Sequence, residues 1–231
     1  MKHPPSSLWL VMQVSLILFI TLAVVWFFFR LRPSILPVPT LQETLHTVSE
    51  SVSPAVAIIF RGDVIVGTGV LIDEYTVLTS KHSLQWDESY LLQFPDGTRT
   101  QSTILSVHPH LDLALLKLSK PHSSPLTLIT SQALVRPGDF VLAGGTLLWS
   151  KTPINHLGIV SWLEQNMSPE ISGMILTDIP FRSGYSGWPL VNLRAELIGI
   201  NTAYSTNESA WWSTPVDRTL ITDWQAAIND V

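Results

Sequence analysis

The chain opens with a long apolar run. From Leu8 to Phe29 there are 22 residues without a charge. A helix of that length spans roughly 33 Å, at about 1.5 Å per residue, which is enough for the hydrocarbon core of a bilayer. The run is longer than the apolar region of a signal peptide and lacks an A-x-A-like cleavage site. It therefore predicts one uncleaved transmembrane helix over residues 8–29, after a short tail at 1–7.

A spacer and a short helix are predicted next. Residues 30–39 carry three prolines, which make an extended chain stiff. The segment TLQETLHTVSESV (40–52) has helical spacing, and Thr40 with Glu43 three residues on forms a capping-box pattern. One face of this helix carries the apolar residues Leu41, Leu45 and Val48.

From residue 55 the pattern changes to short runs rich in branched residues, separated by turn signals such as PDG (95–97). Such runs are typical of β-barrels and β-sandwiches. The polar stretch SKPHSSP (119–125) suggests a connector between two β halves. The last residues have helical spacing again, with Asp217 as the N-cap. We therefore predict one domain over 40–231, with a first barrel at about 53–120, a second at about 134–216, and a C-terminal helix at about 217–230.

Charge and composition exclude several classes of partner. Beyond the anchor the chain has 18 acidic and 10 basic residues, a formal net charge of −8, which disfavours binding to nucleic acid. The chain has no cysteine, so disulfides, thiolate metal sites and cysteine nucleophiles are excluded.

A candidate nucleophile lies in RSGYSGWPLV (182–191), where Ser186 stands next to Gly187 and two residues after Gly184. A serine hydroxyl needs a base to react at neutral pH. No histidine follows Ser186, which excludes the α/β-hydrolases, because their triad ends in histidine. Their G-x-S-x-G elbow would also require a glycine where this chain has Trp188.

The base must therefore come from an upstream histidine. His82 follows the β run in TVLTSKHSL, which places an imidazole at the edge of a strand, whereas His156 is expected in a surface turn. Asp112 begins the apolar strand of HPHLDLALLKL, where a half-buried carboxylate needs a donor such as an imidazole N–H. His108 and His110 could instead start a metal site with Asp112, but no further ligand is evident, and they are expected to be surface loop residues.

The order His82, Asp112, Ser186 is that of the chymotrypsin triad. At spacings of 30 and 74 residues, the three segments resemble those of trypsin-like serine proteases of the HtrA/Deg branch. GTGVLID (67–73) looks like that family's first-barrel glycine strand, and residues 175–203 look like its serine segment. The resemblance runs from about Ser51 to the C-terminal helix and implies an all-β, two-barrel chymotrypsin-like fold with short terminal helices.

The resemblance also implies roles. His82 would act as general base, Asp112 would orient it, and the N–H groups of Gly184 and Ser186 would form the oxyanion hole. No cofactor or metal is needed, and the substrates would be unfolded or extended polypeptides, cut after a small or aliphatic residue. The peptide would be held by residues of the serine segment and of the strand GINTAY, namely Phe181, Asn201, Thr202, Ala203 and Tyr204.

Further expectations concern the setting. The family works outside the cytoplasm, so we expect the protease domain on the extracytoplasmic face of a bacterial membrane, although the charges of Lys2, Arg30 and Arg32 do not determine the orientation. Only 45 residues follow Ser186, which leaves no room for the PDZ domain that family members often carry. Trimerisation through the N-terminal segment remains open.

The resemblance departs from the family at two positions beside the nucleophile. Tyr185 stands where a small polar residue is usual, and Trp188 replaces a second glycine. If the indole distorts the loop, the chain would be a weak or inactive homologue, a membrane-tethered module that holds extended peptides without cutting them. Burial of a large apolar side chain is favourable, so we predict that Trp188 packs inward into the second barrel, away from the Ser186 hydroxyl.

Overall fold

The computed structural model describes seven stretches of the chain. They are residues 7–30, 39–85, 89–145, 154–165, 173–180, 184–205 and 210–229. The chain divides into two compact units, Met1–Pro39 and Thr40–Val231. The protease-like segments all lie in the second unit.

The first unit contains a single described helix, α1, from Ser7 to Arg30. It covers the apolar run of the sequence, and its described side chains between residues 11 and 27 are exposed. The side chains of this helix are described without a gap only over residues 11–27, and among the described residues there is no apolar span long enough to cross a bilayer. The structure therefore does not support the transmembrane helix predicted over residues 8–29.

The second unit begins with helix α2, Leu41–Val52, which has the predicted capping box. The Thr40 hydroxyl accepts from the Glu43 N–H at 3.2 Å, and the Glu43 carboxylate accepts from the Thr40 N–H at 2.7 Å. Two of the three residues of the predicted apolar face, Leu45 and Val48, pack against the core. Val48 and Val52 are buried, while Leu41 is 44% exposed. The first turn of the helix projects beyond the core, which the apolar spacing alone does not reveal.

Six antiparallel strands form the first barrel, which closes in the order β1-β2-β3-β6-β5-β4. Their branched and aromatic side chains fill the interior, as β propensity favours. The strands are β1 Val56–Arg61, β2 Val64–Asp73, β3 Thr76–Thr79, β4 Tyr90–Gln93, β5 Arg99–Val107 and β6 Ala114–Leu118.

The second sheet has the order β11-β8-β9-β10-β13-β12-β7, and a further pairing of β11 with β12 closes six of its strands into a second barrel. The short β7 lies at the edge, parallel to β12. The strands are β7 Thr127–Leu128, β8 Phe140–Gly145, β9 Ile154–Gln165, β10 Met174–Thr177, β11 Pro189–Asn192, β12 Glu196–Ser205 and β13 Ala210–Pro215.

The last element is helix α3, Arg218–Asn229. Its predicted N-cap is present, since the Asp217 carboxylate accepts from the Leu220 N–H at 2.9 Å. Trp224 and Ile221 of this helix join the apolar core that contains the first-barrel side chains. The two-barrel, all-β architecture with short helices is thus as the sequence predicted. The order of the strands brings three segments close together: the end of β3, the start of β6 and the loop between β10 and β11.

Candidate active site

His82 lies in a single turn of 3₁₀ helix, Lys81–Ser83, directly after β3. The turn is fixed from within by a 2.6 Å hydrogen bond between the hydroxyls of Ser80 and Ser83. It is fixed from outside by the Lys81 N–H, which donates to the Asp112 carbonyl at 3.2 Å. The His82 side chain is 47% exposed and therefore reachable from solvent.

Asp112 stands just before β6 and is bound twice by His82. Its Oδ1 accepts from the His82 backbone N–H at 2.8 Å, and its Oδ2 lies 2.6 Å from His82 Nδ1. The carboxyl group is only 15% exposed. A carboxylate accepts hydrogen bonds, so this contact favours the His82 tautomer that carries its proton on Nδ1 and presents Nε2 as an acceptor.

Ser186 lies in the loop between β10 and β11, and its Oγ is 3.0 Å from His82 Nε2. The three side chains predicted from sequence are therefore within hydrogen-bonding distance in the order Asp112, His82, Ser186. Nucleophile, base and orienting group stand in the geometry that acyl transfer requires.

The loop of Ser186 is held by the first barrel. The Ser186 carbonyl accepts from the backbone N–H of Thr68 at 3.2 Å and from its hydroxyl at 3.0 Å. Gly187 has a φ of +84°, and a Cβ at this position would overlap the Thr68 carbonyl oxygen. Only glycine combines this backbone conformation with so close an approach. Strand β2 of one barrel thus fixes the nucleophile of the other.

Gly184 and Ser186 present backbone donors on the same loop. Gly184 has a φ of +99°, a conformation that glycine adopts at low cost. Among the residues that the structure describes, neither the Gly184 N–H nor the Ser186 N–H has an acceptor. Their role as an oxyanion hole stays a prediction.

Trp188 packs inward, as predicted. The indole is 0% exposed and stacks on the Tyr185 ring, with ring centroids 4.0 Å apart. Gly145 on β8 makes room for it, since a Cβ there would lie 2.5 Å from indole atoms. The indole that departs from the family pattern is therefore buried among residues of the second barrel.

His156 belongs to this aromatic cluster, which the sequence did not predict. Its Nε2 lies 3.3 Å from the Tyr185 hydroxyl, and its ring centroid is 5.4 Å from that of Tyr185. The expectation of a surface turn is wrong, because β9 begins at Ile154 and places His156 inside a strand, half-buried. Only Leu157 and Ile159 alternate with polar or small residues here, namely His156 and Gly158, and so short an alternation does not predict a strand.

The predicted substrate-binding residues divide into three groups. Asn201 and Thr202 are 2% and 5% exposed, and their described side-chain bonds are internal, to Ser213 and Thr214. Ala203 and Tyr204 continue β12, but their side chains lie outside what is described. Phe181 falls outside the described residues altogether. Peptide binding by all five stays a prediction.

The histidines of HPHLD occupy different environments. His110 is exposed, as expected, whereas His108 is half-buried. Within the part of the chain that the structure describes, no group of three or more His, Cys, Asp or Glu side chains is placed to hold a metal ion. Asp112 of the same motif is bound to His82.

Comparison with known proteins gives a consistent picture. The sequence model of the trypsin-like peptidase domain family matches residues 67–200. Serine protease HTRA1B of Danio rerio is 32% identical over 170 residues, which are 67% of this chain and 36% of the relative. A probable periplasmic serine protease do/HhoA-like of Haemophilus influenzae is 33% identical over 149 residues, 62% of this chain and 31% of the relative. The chain thus spans about a third of the length of these relatives.

A structural comparison supports the fold. The HtrA-type protease AlgW, solved with a decapeptide, superposes with a TM-score of 0.68 at 22% sequence identity. The match covers 80% of this chain and 67% of that one. The two-barrel architecture is therefore shared.

Proposed function

The chain belongs to the family of trypsin-like peptidase domains, and we propose that it is an HtrA-like serine endopeptidase that hydrolyses unfolded or extended polypeptides. The observation that carries this proposal is the continuous hydrogen-bonded path from Asp112 through His82 to Ser186, at 2.6 and 3.0 Å. The buried position of Trp188 supports it further, because the indole packs on Tyr185 and Gly145 inside the second barrel.

The proposed mechanism follows from the geometry. Ser186 Oγ attacks the peptide carbonyl carbon while His82 Nε2 takes the hydroxyl proton, and Asp112 stabilises the resulting imidazolium. The N–H groups of Gly184 and Ser186 bind the oxyanion, a contribution of about 2.7–4 kcal/mol per donor in such sites. His82 then protonates the leaving amine. A water molecule, deprotonated by His82, releases the acyl group and restores Ser186.

A serine-reactive fluorophosphonate probe tests this proposal directly. The probe bonds covalently to a serine only when a base activates the hydroxyl, so we expect one label per chain, located at Ser186. The Ser186→Ala and His82→Ala variants should not be labelled. Ser161→Ala is the matched control, because Ser161 is an exposed serine on β9, and it should label like the wild type.

The same experiment tests the alternative. An unlabelled wild-type protein that still binds extended peptides would be the peptide-binding module without catalysis. Labelling that persists in Ser186→Ala would contradict the assignment of the nucleophile.

The substrate class is part of the proposal. The related protease AlgW was solved with a decapeptide, and an extended peptide would pair with the end of β12 near Ala203 and Tyr204. The formal net charge of −8 beyond residue 32 argues against nucleic acid as the ligand.

We also propose that residues 8–29 attach the chain to a bilayer and that the protease domain lies outside the cytoplasm. This rests on the 22 uncharged residues of the sequence and on a related Haemophilus influenzae protein described as periplasmic. Added protease should digest residues 33–231 in spheroplasts, where the outer face is exposed. Digestion of the N-terminal tail with residues 33–231 protected in spheroplasts would contradict the proposed orientation.

A further inference from the structure

The loop that carries Asp112 is built around a second histidine. His108 Nδ1 accepts hydrogen bonds from the backbone N–H of Leu111, at 2.9 Å, and from that of His110, at 3.3 Å. The backbone N–H of His108 donates to the Leu113 carbonyl at 2.9 Å. The imidazole thus satisfies two backbone donors of its own loop, directly before the catalytic carboxylate.

Helix α3 holds the His108 ring from the other side. The Trp224 indole meets the imidazole edge-on, with centroids 5.0 Å apart and an angle of 87° between the ring planes. Trp224 is itself fixed, because it is 7% exposed and its Nε1 donates to the Ser106 hydroxyl at 3.0 Å. The His108 ring is therefore packed between its own loop and helix α3.

The protonation state of His108 decides whether these bonds exist. Nδ1 can accept only when the imidazole is neutral with its proton on Nε2. Burial lowers the pKa of His108, and the positive charges of His110 and Lys81 act in the same direction. The contact from α3 is the uncharged indole of Trp224. The ring is therefore neutral at neutral pH and able to accept.

We propose that His108 is a positioning residue for Asp112, and that its neutral ring holds the carboxylate in place against His82. The proposal rests on the peptidase function proposed above. The Leu111 N–H is bound by the ring, and the next residue offers Oδ1 and Oδ2 to His82 at 2.8 and 2.6 Å. A protonated ring would turn an N–H towards two N–H groups, so the loop would lose both bonds and move Asp112.

The direction of the pH effect follows. The pKa of His108 is lowered in the folded protein, so its contribution to stability is complete above the ordinary pKa of histidine. That contribution is lost as the pH falls through the lowered pKa. Protonation of His108 should therefore lower activity in acid.

Three variants of the full chain test the proposal. His108→Asn keeps an acceptor, Oδ1, near the position of Nδ1 but cannot be protonated in this range. His108→Leu keeps apolar contact with Trp224 and removes the acceptor. His110→Asn is the matched control, because His110 lies in the same loop but is exposed.

We expect His108→Leu to lower kcat by roughly ten- to a hundredfold with little change in KM, since a displacement of about 1 Å in a catalytic group has an effect of that order. His108→Asn and His110→Asn should stay close to the wild type. On the acid side, kcat/KM of the wild type should fall further from its value at neutral pH than kcat/KM of His108→Asn, because only the wild type also loses the bonds of the neutral His108 ring. A folded His108→Leu protein with wild-type kcat would overturn the proposal, as would a His108→Asn protein as impaired as His108→Leu.

Proton NMR tests the positioning role of His108 independently of peptidase activity. The hydrogen-bonded Nδ1 proton of His82 gives a low-field proton resonance whether or not the protein cleaves peptides. It should be retained in His108→Asn and lost in His108→Leu. An inactive wild type that shows this pattern would refute the function and support the positioning role. An unchanged resonance in His108→Leu, or its absence from the wild type, would overturn the positioning role.

Discussion

Replacing Ser186 with alanine is expected to lower kcat/KM for an unfolded, casein-like substrate by at least about 10⁴-fold, and replacing His82 with alanine should have an effect of similar size. The reason is that each variant removes one end of the 3.0 Å contact through which the hydroxyl proton is transferred. The double variant should be no worse than either single one, because the two groups act as a unit. Initial rates at matched protein concentration give the measurement.

Two controls belong to this experiment. Ser161→Ala changes an exposed serine on β9 and should leave the rate unchanged. A chelator should also have no effect, since the proposed mechanism uses no metal. Full activity in Ser186→Ala would mean that another group is the nucleophile, and additive losses in the double variant would mean that His82 does not act through Ser186.

The triad could be predicted from sequence because its three segments are local. Each of the three residues lies beside a strand, His82 after β3, Asp112 before β6 and Ser186 before β11, and the strand pattern with its turn residues is visible in ten residues or fewer. Their order along the chain then selected one known arrangement over two others. The contacts between them required only that the barrels form, which the branched strand residues ensure.

The surroundings of the nucleophile could not be predicted in the same way. Trp188 has room only because Gly145, 43 residues earlier in the chain, lacks a side chain beneath it. Likewise the hydrogen bond from Thr68 to the Ser186 carbonyl joins residues 118 positions apart. Periodicity and local motifs do not predict such contacts, because each contact depends on how two segments that are distant in sequence pack together.

The environment of His108 could not be predicted either. For the two histidines of the motif HPHLD, the sequence suggested either surface residues or metal ligands. The structure gives the two rings different environments, since one accepts from its own backbone and packs on α3 while the other is exposed. The difference comes from Trp224, which lies 116 residues further on in the sequence.

Replacing Trp188 with glycine is expected to lower the free energy of unfolding by about 3–5 kcal/mol, the cost of removing a fully buried aromatic side chain. For a domain of this size the melting temperature should fall by roughly 6–20 °C. The specificity constant should change less, because the indole lies behind the loop, stacked on Tyr185 and away from the Ser186 hydroxyl. Trp162→Gly is the matched control: Trp162 lies on β9 and is 60% exposed, so only the backbone effect of glycine, about 1 kcal/mol, should appear.

Gly145 allows the same prediction to be tested from the other side of the contact. In the wild type, Gly145→Ala places a methyl group 2.5 Å from the indole and should be destabilising, by about 1–3 kcal/mol if the core is overpacked. In the Trp188→Gly background the space is empty, so the same alanine should cost little or nothing. Thermal unfolding of the four proteins gives the coupling free energy between the two positions. Strictly additive losses would show that the indole does not occupy the space above Gly145. A Trp188→Gly protein that keeps its stability and gains tenfold or more in rate would show instead that the indole obstructs the cleft.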